Sequence, residues 1–261
     1  MFKRFFRFLN QWGELIQQLT VREIKARYKQ SILGYAWVLL VPLMNLTVMT
    51  IVFSYLIRLP TGNIPYSLYL FTALVPWTFT SSAIAAATGS LMSNASLITK
   101  IKLPREIFPL SSILVKLVDL GLSTLVLIIL MIIMRAPFQI TILWIPFIFA
   151  IQFMMVNGVS LILAATNVFY RDVENVLGVF LMVWMYLTPI IYPPEMIPTQ
   201  WRPLFSLNPM TGIVNAYRNV ILYGVNPPWQ SFIYAIVISL GLYILGFIFF
   251  KRTQRYFADV I

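Results

Sequence analysis

Residues Tyr35–Ile57 contain no Asp, Glu, Lys or Arg, and several other stretches of 17 or more residues share that property. A run of that kind suits one solvent above all, because roughly 20 apolar residues cross the hydrocarbon core of a bilayer as a helix. No water is available there, so each segment must satisfy its own backbone N–H and C=O groups, which an α-helix does. Composition agrees with this reading. Of 261 residues, 60% are hydrophobic and 10% are charged, against about 25% charged in an ordinary soluble domain. The sequence predicts an all-α membrane protein.

Six spans are expected, at about residues 35–57, 66–92, 107–134, 142–167, 175–192 and 230–250. Lys and Arg placement orients them. Fourteen of the 19 basic residues fall in the first 34 residues, near Lys100–Arg105, at Arg171 and after Phe250. Arg58, Arg135, Arg202 and Arg218 fall on the opposite side, and Lys116 lies inside a span. Both termini are therefore expected in the cytoplasm, which an even number of spans permits. In the basic N-terminus, Asn10, Gln11 and Glu14 interrupt the sequence before an apolar core of signal-peptide length, so no cleavable signal is expected.

Three segments are left over by this topology. Residues 14–30 fit a helix lying in the headgroup plane. Gln18, Arg22, Lys25 and Lys29 form a polar stripe between two apolar patches, Leu15/Ile16/Leu19 and Val21/Ile24/Tyr28. Such a helix is either a lipid anchor or has one patch docked on a partner. The short loop Asn94–Glu106 is amphipathic for at most two turns and is ended by Pro104. Residues 193–229 are too long for a simple turn. They contain one good helix, Pro209–Tyr223, with Ile213, Ala216, Tyr217 and Val220 on one face, which suits a re-entrant or interfacial element.

The chain has no Cys and no His. This removes thiolate and imidazole metal sites, disulfides and Cys/His or Ser/His nucleophiles. Its net charge of +11 reads as topology and lipid-headgroup contact rather than nucleic-acid binding. Neither a DDxxD motif nor a pair of free carboxylates is present for metal-dependent or glycosyl-transfer chemistry. Gly241 and Gly246 have Walker spacing, but Phe247 follows where Lys is required. No cofactor is expected in this chain, and if ATP powers it another chain must supply the ATPase. Asp172 and Glu174 read as an acidic helix start.

Lys116 and Asp119 stand three apart in an apolar span and can touch. They are either a structural ion pair or a participant in conduction. Some aromatics fall at predicted interfaces, where a belt is expected, whereas Trp77, Phe79, Phe180, Trp184 and Tyr186 lie deeper. Thr47, Thr50 and Ser54 share one face of the first span. The second span has a soft surface of small and hydroxylic residues that includes Ala85 and Gly89. Aromatic and hydroxyl groups together suit sugars, which stack and hydrogen-bond; small residues equally permit close helix packing.

Four segments in combination resemble a known family: Ile24–Leu43 (IKARYKQSILGYAWVLLVPL), Lys100–Ser111 (KIKLPREIFPLS), Tyr170–Val176 (YRDVENV) and Thr188–Pro198 (TPIIYPPEMIP) with Leu207–Gly224 (LNPMTGIVNAYRNVILYG). Together they look like the permease subunit of ABC-2 type exporters of O-antigen and teichoic-acid polysaccharides. The resemblance implies a homodimer in the bacterial cytoplasmic membrane working with two copies of a P-loop ATPase that binds ATP and Mg. The substrate it implies is a glycan linked through pyrophosphate to a polyprenyl lipid. It makes residues 1–34 a cytoplasmic N-terminus with an interface helix, and 35–261 the transmembrane domain. A cytoplasmic coupling helix would include Leu97, Ile98, Lys100, Lys102, Pro104 and Arg105. Glu195–Phe205 and Pro209–Tyr223 would be re-entrant outer helices. On this reading spans one, two and five line the path with the deep aromatics and hydroxyls above, and Arg22, Lys25, Arg27 and Lys29 either receive the pyrophosphate or contact lipid headgroups. Rival readings are an ABC-2 permease for a small hydrophobic compound, a membrane enzyme of polyprenyl-lipid metabolism, and a passive channel.

Overall fold

The computed structural model of the protein describes residues 2–28, 36–60, 62, 64–101 and 103–260. Every regular element among them is helical. Four helices are long and apolar enough to cross a membrane: Tyr66–Ser93 (α3), Ile107–Ile133 (α5), Ile140–Phe169, whose α-helical part is Ile145–Phe169 (α6), and Trp229–Tyr256, whose α-helical part is Trp229–Thr253 (α10). The others are Phe2–Tyr28 (α1), Ala36–Thr50 (α2), Ala95–Lys100 (α4), Asp172–Tyr186 (α7), Arg202–Ser206 (α8), Pro209–Arg218 (α9) and Phe257–Val260 (α11).

The central helix is α3: 72% of its apolar window is buried, against 22% for those of α5 and α10. Around it, α5, α6, α7, α9 and α10 share one apolar core that includes Leu70, Ile84, Ile113, Met155, Val214 and Phe232. Small residues set the closest approaches. A Cβ on Gly158 of α6 would stand 2.5 Å from the Leu242 backbone, and one on Gly246 of α10 would stand 2.3 Å from the Gly158 oxygen. Two backbones meet where neither can carry a side chain. A second core gathers Ile16 and Leu19 of α1, Ile98 of α4, Phe108 of α5, Ala164 of α6 and Phe250 of α10. Of the two apolar patches on α1, the one with Leu15, Ile16 and Leu19 is thus packed against this chain's own helices.

The structure departs from the sequence expectations in three places, two of them at prolines. Residues 175–192, expected as a span, are helical only to Tyr186. The helix Asp172–Tyr186 has 15 residues, about 22 Å at 1.5 Å per residue, short of the ~30 Å apolar core. Pro189 lacks the N–H that would continue it, so Thr188–Tyr192 goes on as irregular chain. Glu195–Phe205 is not one helix. It comprises a 3-10 turn at Pro194–Met196, an extended Ile197 (ψ 124°) before Pro198, and the five-residue α8. In the first expected span, α2 contains Pro42 and passes at Thr50 into a π-helical turn, Ile51–Leu56, while Tyr35 lies outside the described residues.

After α9 a second π-helical turn, Asn219–Tyr223, ends at Gly224 with φ 64°. Glycine suits this left-handed stop, because it has no Cβ to strain there.

Candidate functional site

Residues 187–223 fold between α7 and α10 as a polar-stapled cap on one end of α3. Asn208 begins α9 by accepting from Met210 N at 3.0 Å, a side-chain N-cap. Its carboxamide oxygen also accepts from Trp184 Nε1 at 2.9 Å. Its Nδ2 donates to Thr188 Oγ1 at 2.9 Å and to the Leu187 carbonyl at 3.2 Å. One side chain therefore ties the start of α9 to the end of α7.

The other end of α9 carries a buried cation. Arg218 is 2% exposed and donates from Nη1 to the Pro189 carbonyl and from Nη2 to that of Ile190, each at 2.5 Å. Its Nε reaches the Tyr69 carbonyl at 3.4 Å, and its guanidinium carbon lies 3.6 Å from the Tyr69 ring centre. The next two carbonyls of the turn are taken by phenols from α3. Tyr66 Oη donates to Ile191 O at 2.9 Å, and Tyr69 Oη to Tyr192 O at 3.5 Å. Burial pulls the Arg218 pKa down to about 10, against the opposing pull of Tyr69. The group is still charged at neutral pH.

The preceding residue, Tyr217, forms a second staple. Its hydroxyl donates to Gln152 Oε1 of α6 at 2.9 Å. Gln152, wholly buried, donates from Nε2 to the Pro76 carbonyl at 2.7 Å and to Thr80 Oγ1 at 2.9 Å, both on α3. Burial raises the Tyr217 phenol well above its ordinary pKa, so it remains a neutral donor. Three helices thus meet at one amide, and each of its polar atoms has a partner.

Of the expected aromatic lining, Trp77 and Trp184 touch edge to face at 5.7 Å, and Phe180 follows Trp184 at 5.6 Å. This row runs from buried Trp77 to half-exposed Phe180. Tyr186, two residues after Trp184 and so off the row, is exposed. Phe79 does not join them: it is 2% exposed and packs on Phe149 of α6. Thr47 is exposed and turns its hydroxyl back to the Leu43 carbonyl, while Thr50 and Ser54 are half-buried.

At the opposite end, Arg22 of α1 donates to Asn94 Oδ1 at 2.6 Å, at the junction of α3 and α4. Lys25 is exposed; Lys29 and Lys102 lie outside the described residues, as does the Arg27 side chain. In and after α4, Ile98 is buried, Leu97 packs on the same core, Pro104 is half-buried and Lys100 is exposed. Arg105 is drawn inward, donating to the Gln254 carbonyl and lying 5.7 Å over the Phe257 ring. Its neighbour Glu106 pairs with Lys251 of α10. Along α5, Ser112 donates to Glu23 of α1 at 3.2 Å, and one turn further Lys116 Nζ lies 3.5 Å from Asp119 Oδ2.

Arg218 and Gln152 were not among the residues singled out by sequence. The signal was present in both cases. Arg218 falls in register with Met210 and Val214 at four-residue steps, on the apolar row of its helix, where a solvated charge has no place. Gln152 is a strongly polar side chain well inside an apolar span, which by itself points to a buried partner.

Residues 14–222 match the family model described as ABC-2 type transporter. Over the full chain the protein is similar to two proteins described as O-antigen export system permease protein RfbA. The one from Klebsiella pneumoniae is 29% identical over 95% of each chain. The one from Myxococcus xanthus is 28% identical over 99% of each. The polysialic acid transport protein KpsM of Escherichia coli is 23% identical over 92% of this chain and 93% of its own length.

Proposed function

We propose that this chain, which belongs to the ABC-2 type transporter family, is the membrane-embedded permease subunit of an ATP-driven polysaccharide exporter. The observation that carries the reading is similarity along the whole chain to O-antigen export permeases. Its substrate is a glycan held through pyrophosphate on a polyprenyl lipid, of the O-antigen or teichoic-acid class. The protein is an integral membrane protein whose place is the bacterial inner membrane, with both termini in the cytoplasm. Six crossings are completed by α2 with its π-helical turn and by α7 with the Thr188–Tyr192 turn. Residues 1–34 form the cytoplasmic N-terminus and 35–261 the transmembrane domain.

In this reading the chain is not an enzyme. Two copies form the permease, and two P-loop ATPase chains bind ATP and Mg and press on the α4 region. Among the described residues there, Lys100 and neighbouring Ile101, which is 51% exposed, face outward, whereas Arg105 is engaged within the chain. Lys25 and Arg22 stand where a pyrophosphate would arrive. The open end of the aromatic row, Phe180 with half-buried Trp184 braced on Trp77, offers stacking faces that do not discriminate between sugars. Residues 187–223 close the far end.

Deleting the chain tests this. Loss of surface polysaccharide with lipid-linked polymer accumulating inside the cell is expected. A stoichiometric P-loop ATPase should co-purify with the tagged chain in mild detergent. Unchanged surface polysaccharide in the deletion strain overturns the proposal.

A further inference from the structure

Four consecutive carbonyls, those of Pro189, Ile190, Ile191 and Tyr192, each accept a hydrogen bond from a side chain: two from Arg218, one from Tyr66 and one from Tyr69. This turn has left the α-helix, so its carbonyls have no helical N–H partners, and away from water each needs a donor. A planar guanidinium is suited to the task, because its fork holds two adjacent acceptors in a fixed relative orientation. The Tyr69 ring under the guanidinium holds the third side. The cation is fully buried and bonded to carbonyls rather than to a carboxylate. An apolar residue would cost less to bury at this position, but it would offer the turn nothing.

The arrangement joins three elements at a point. Arg218 belongs to α9, its acceptors to the turn after α7, and its stacking partner to α3. Tyr217, the adjacent residue, fixes α9 to α6 and to the Pro76 carbonyl of α3 through Gln152. Movement of the Thr188–Tyr192 turn away from α9 must break the Arg218 fork, and movement of residues 187–223 off α3 must break the contacts of Arg218 and the turn with Tyr69 and Tyr66.

We infer that Arg218 is a positioning residue for transport: it holds the Thr188–Tyr192 turn closed on α3 and α9, and so seals the outer end of the path between transport cycles. This rests on the exporter reading above. The latch is formed by contacts within one chain, so it works in each copy separately.

The test is passive leak. The full transporter, reconstituted into liposomes with trapped sucrose and without ATP, should be tight. Arg218→Gln keeps some hydrogen-bonding capacity but loses the charge and the fork, and sucrose release should rise about tenfold or more. Arg218→Lys keeps a cation over the ring but cannot grip two carbonyls in a fixed geometry. It should assemble normally and leak several-fold faster than the unsubstituted protein. A purely structural role would lower yield or melting temperature without opening the assembled protein. Normal tightness in Arg218→Gln at unchanged elution profile overturns the inference. If Arg218→Gln does not assemble, Arg218→Lys decides: a several-fold leak sustains the latch and a tight liposome removes it. Surface polysaccharide is scored separately in the deletion strain. Leak that follows Arg218 while surface polysaccharide ignores the chain would keep the seal and discard the exporter reading; the reverse pattern would do the opposite.

Discussion

The Arg218 guanidinium lies 3.6 Å from the centre of the Tyr69 ring while its two terminal nitrogens hold the carbonyls of Pro189 and Ile190. The aromatic face and the two carbonyls replace the water this cation loses, and none of the three is itself charged. A desolvated cation on an aromatic face is worth about 2 kcal/mol. The ring and the phenol of Tyr69 therefore make separable contributions.

Tyr69→Phe keeps the ring and loses only a 3.5 Å hydrogen bond to Tyr192 O. It should cost less than about 1 kcal/mol. Tyr69→Leu removes the aromatic face and leaves a partly filled site, at a cost of about 2–4 kcal/mol. Thermal unfolding of the detergent-purified chain should place Tyr69→Phe near the unsubstituted protein and Tyr69→Leu well below it. Equal losses in the two variants would mean that the hydroxyl, not the ring, carries the contact.

Gln152 is the point where α3, α6 and α9 share one amide. Tyr217→Phe deletes a single donor and should cost about 1 kcal/mol. Gln152→Leu leaves the Tyr217 hydroxyl and the Pro76 carbonyl without their partner in an apolar interior and should cost about 2–4 kcal/mol. The two changes act on the same bond, so the double variant should fall short of their sum. Additive losses in unfolding temperature would show that Tyr217 and Gln152 do not act on each other.

Phe180 and Trp184 are neighbours on α7 with different duties. Phe180 is half-exposed at the end of the aromatic row, so Phe180→Ala should leave protein abundance within error and reduce polysaccharide export several-fold. Trp184 also donates to Asn208, the N-cap of α9. Trp184→Ala should therefore lower abundance as well as export, because it removes both the edge contact with Trp77 and this part-buried hydrogen bond, each worth about 1 kcal/mol. Quantitative blotting of the membrane fraction beside surface glycan staining separates the two. Full export with Phe180→Ala would remove that ring from the path.

Much of this architecture is legible in the sequence, because the bilayer imposes one rule on each long segment. The helices Tyr66–Ser93, Ile107–Ile133, Ile140–Phe169 and Trp229–Tyr256 follow from length and absence of charge, and family membership follows from motifs spread along the chain. Hydropathy is blind to short irregular pieces. It counts Thr188–Tyr192 as apolar and extends α7 through it, although Pro189 ends the helix there. It reads Arg218 as one more charge beside the membrane, because a charge count records the residue and not its neighbours. The partners of Arg218, at Tyr69 and Pro189–Ile190, lie far away in sequence and are carbonyls and a ring. No residue-type pattern announces them.

The α6–α10 contact gives the most local of the tests. Gly158 and Gly246 face each other so closely that a Cβ on Gly246 would lie 2.3 Å from the Gly158 oxygen and 3.0 Å from its Cα, all backbone atoms. Backbone cannot rotate out of the way as a side chain can, so the helices must separate. Overpacking of this kind costs about 1–3 kcal/mol. Gly246→Ala should therefore lower the unfolding temperature and the amount of protein in the membrane. Gly241, on the same helix, meets nothing within 4 Å of an added Cβ. Gly241→Ala should be neutral or slightly stabilising, since alanine is the better helix former by up to about 1 kcal/mol. The contrast controls for helix propensity and for handling of the protein. If both variants behave alike in thermal unfolding, α6 and α10 are not in contact through their glycines.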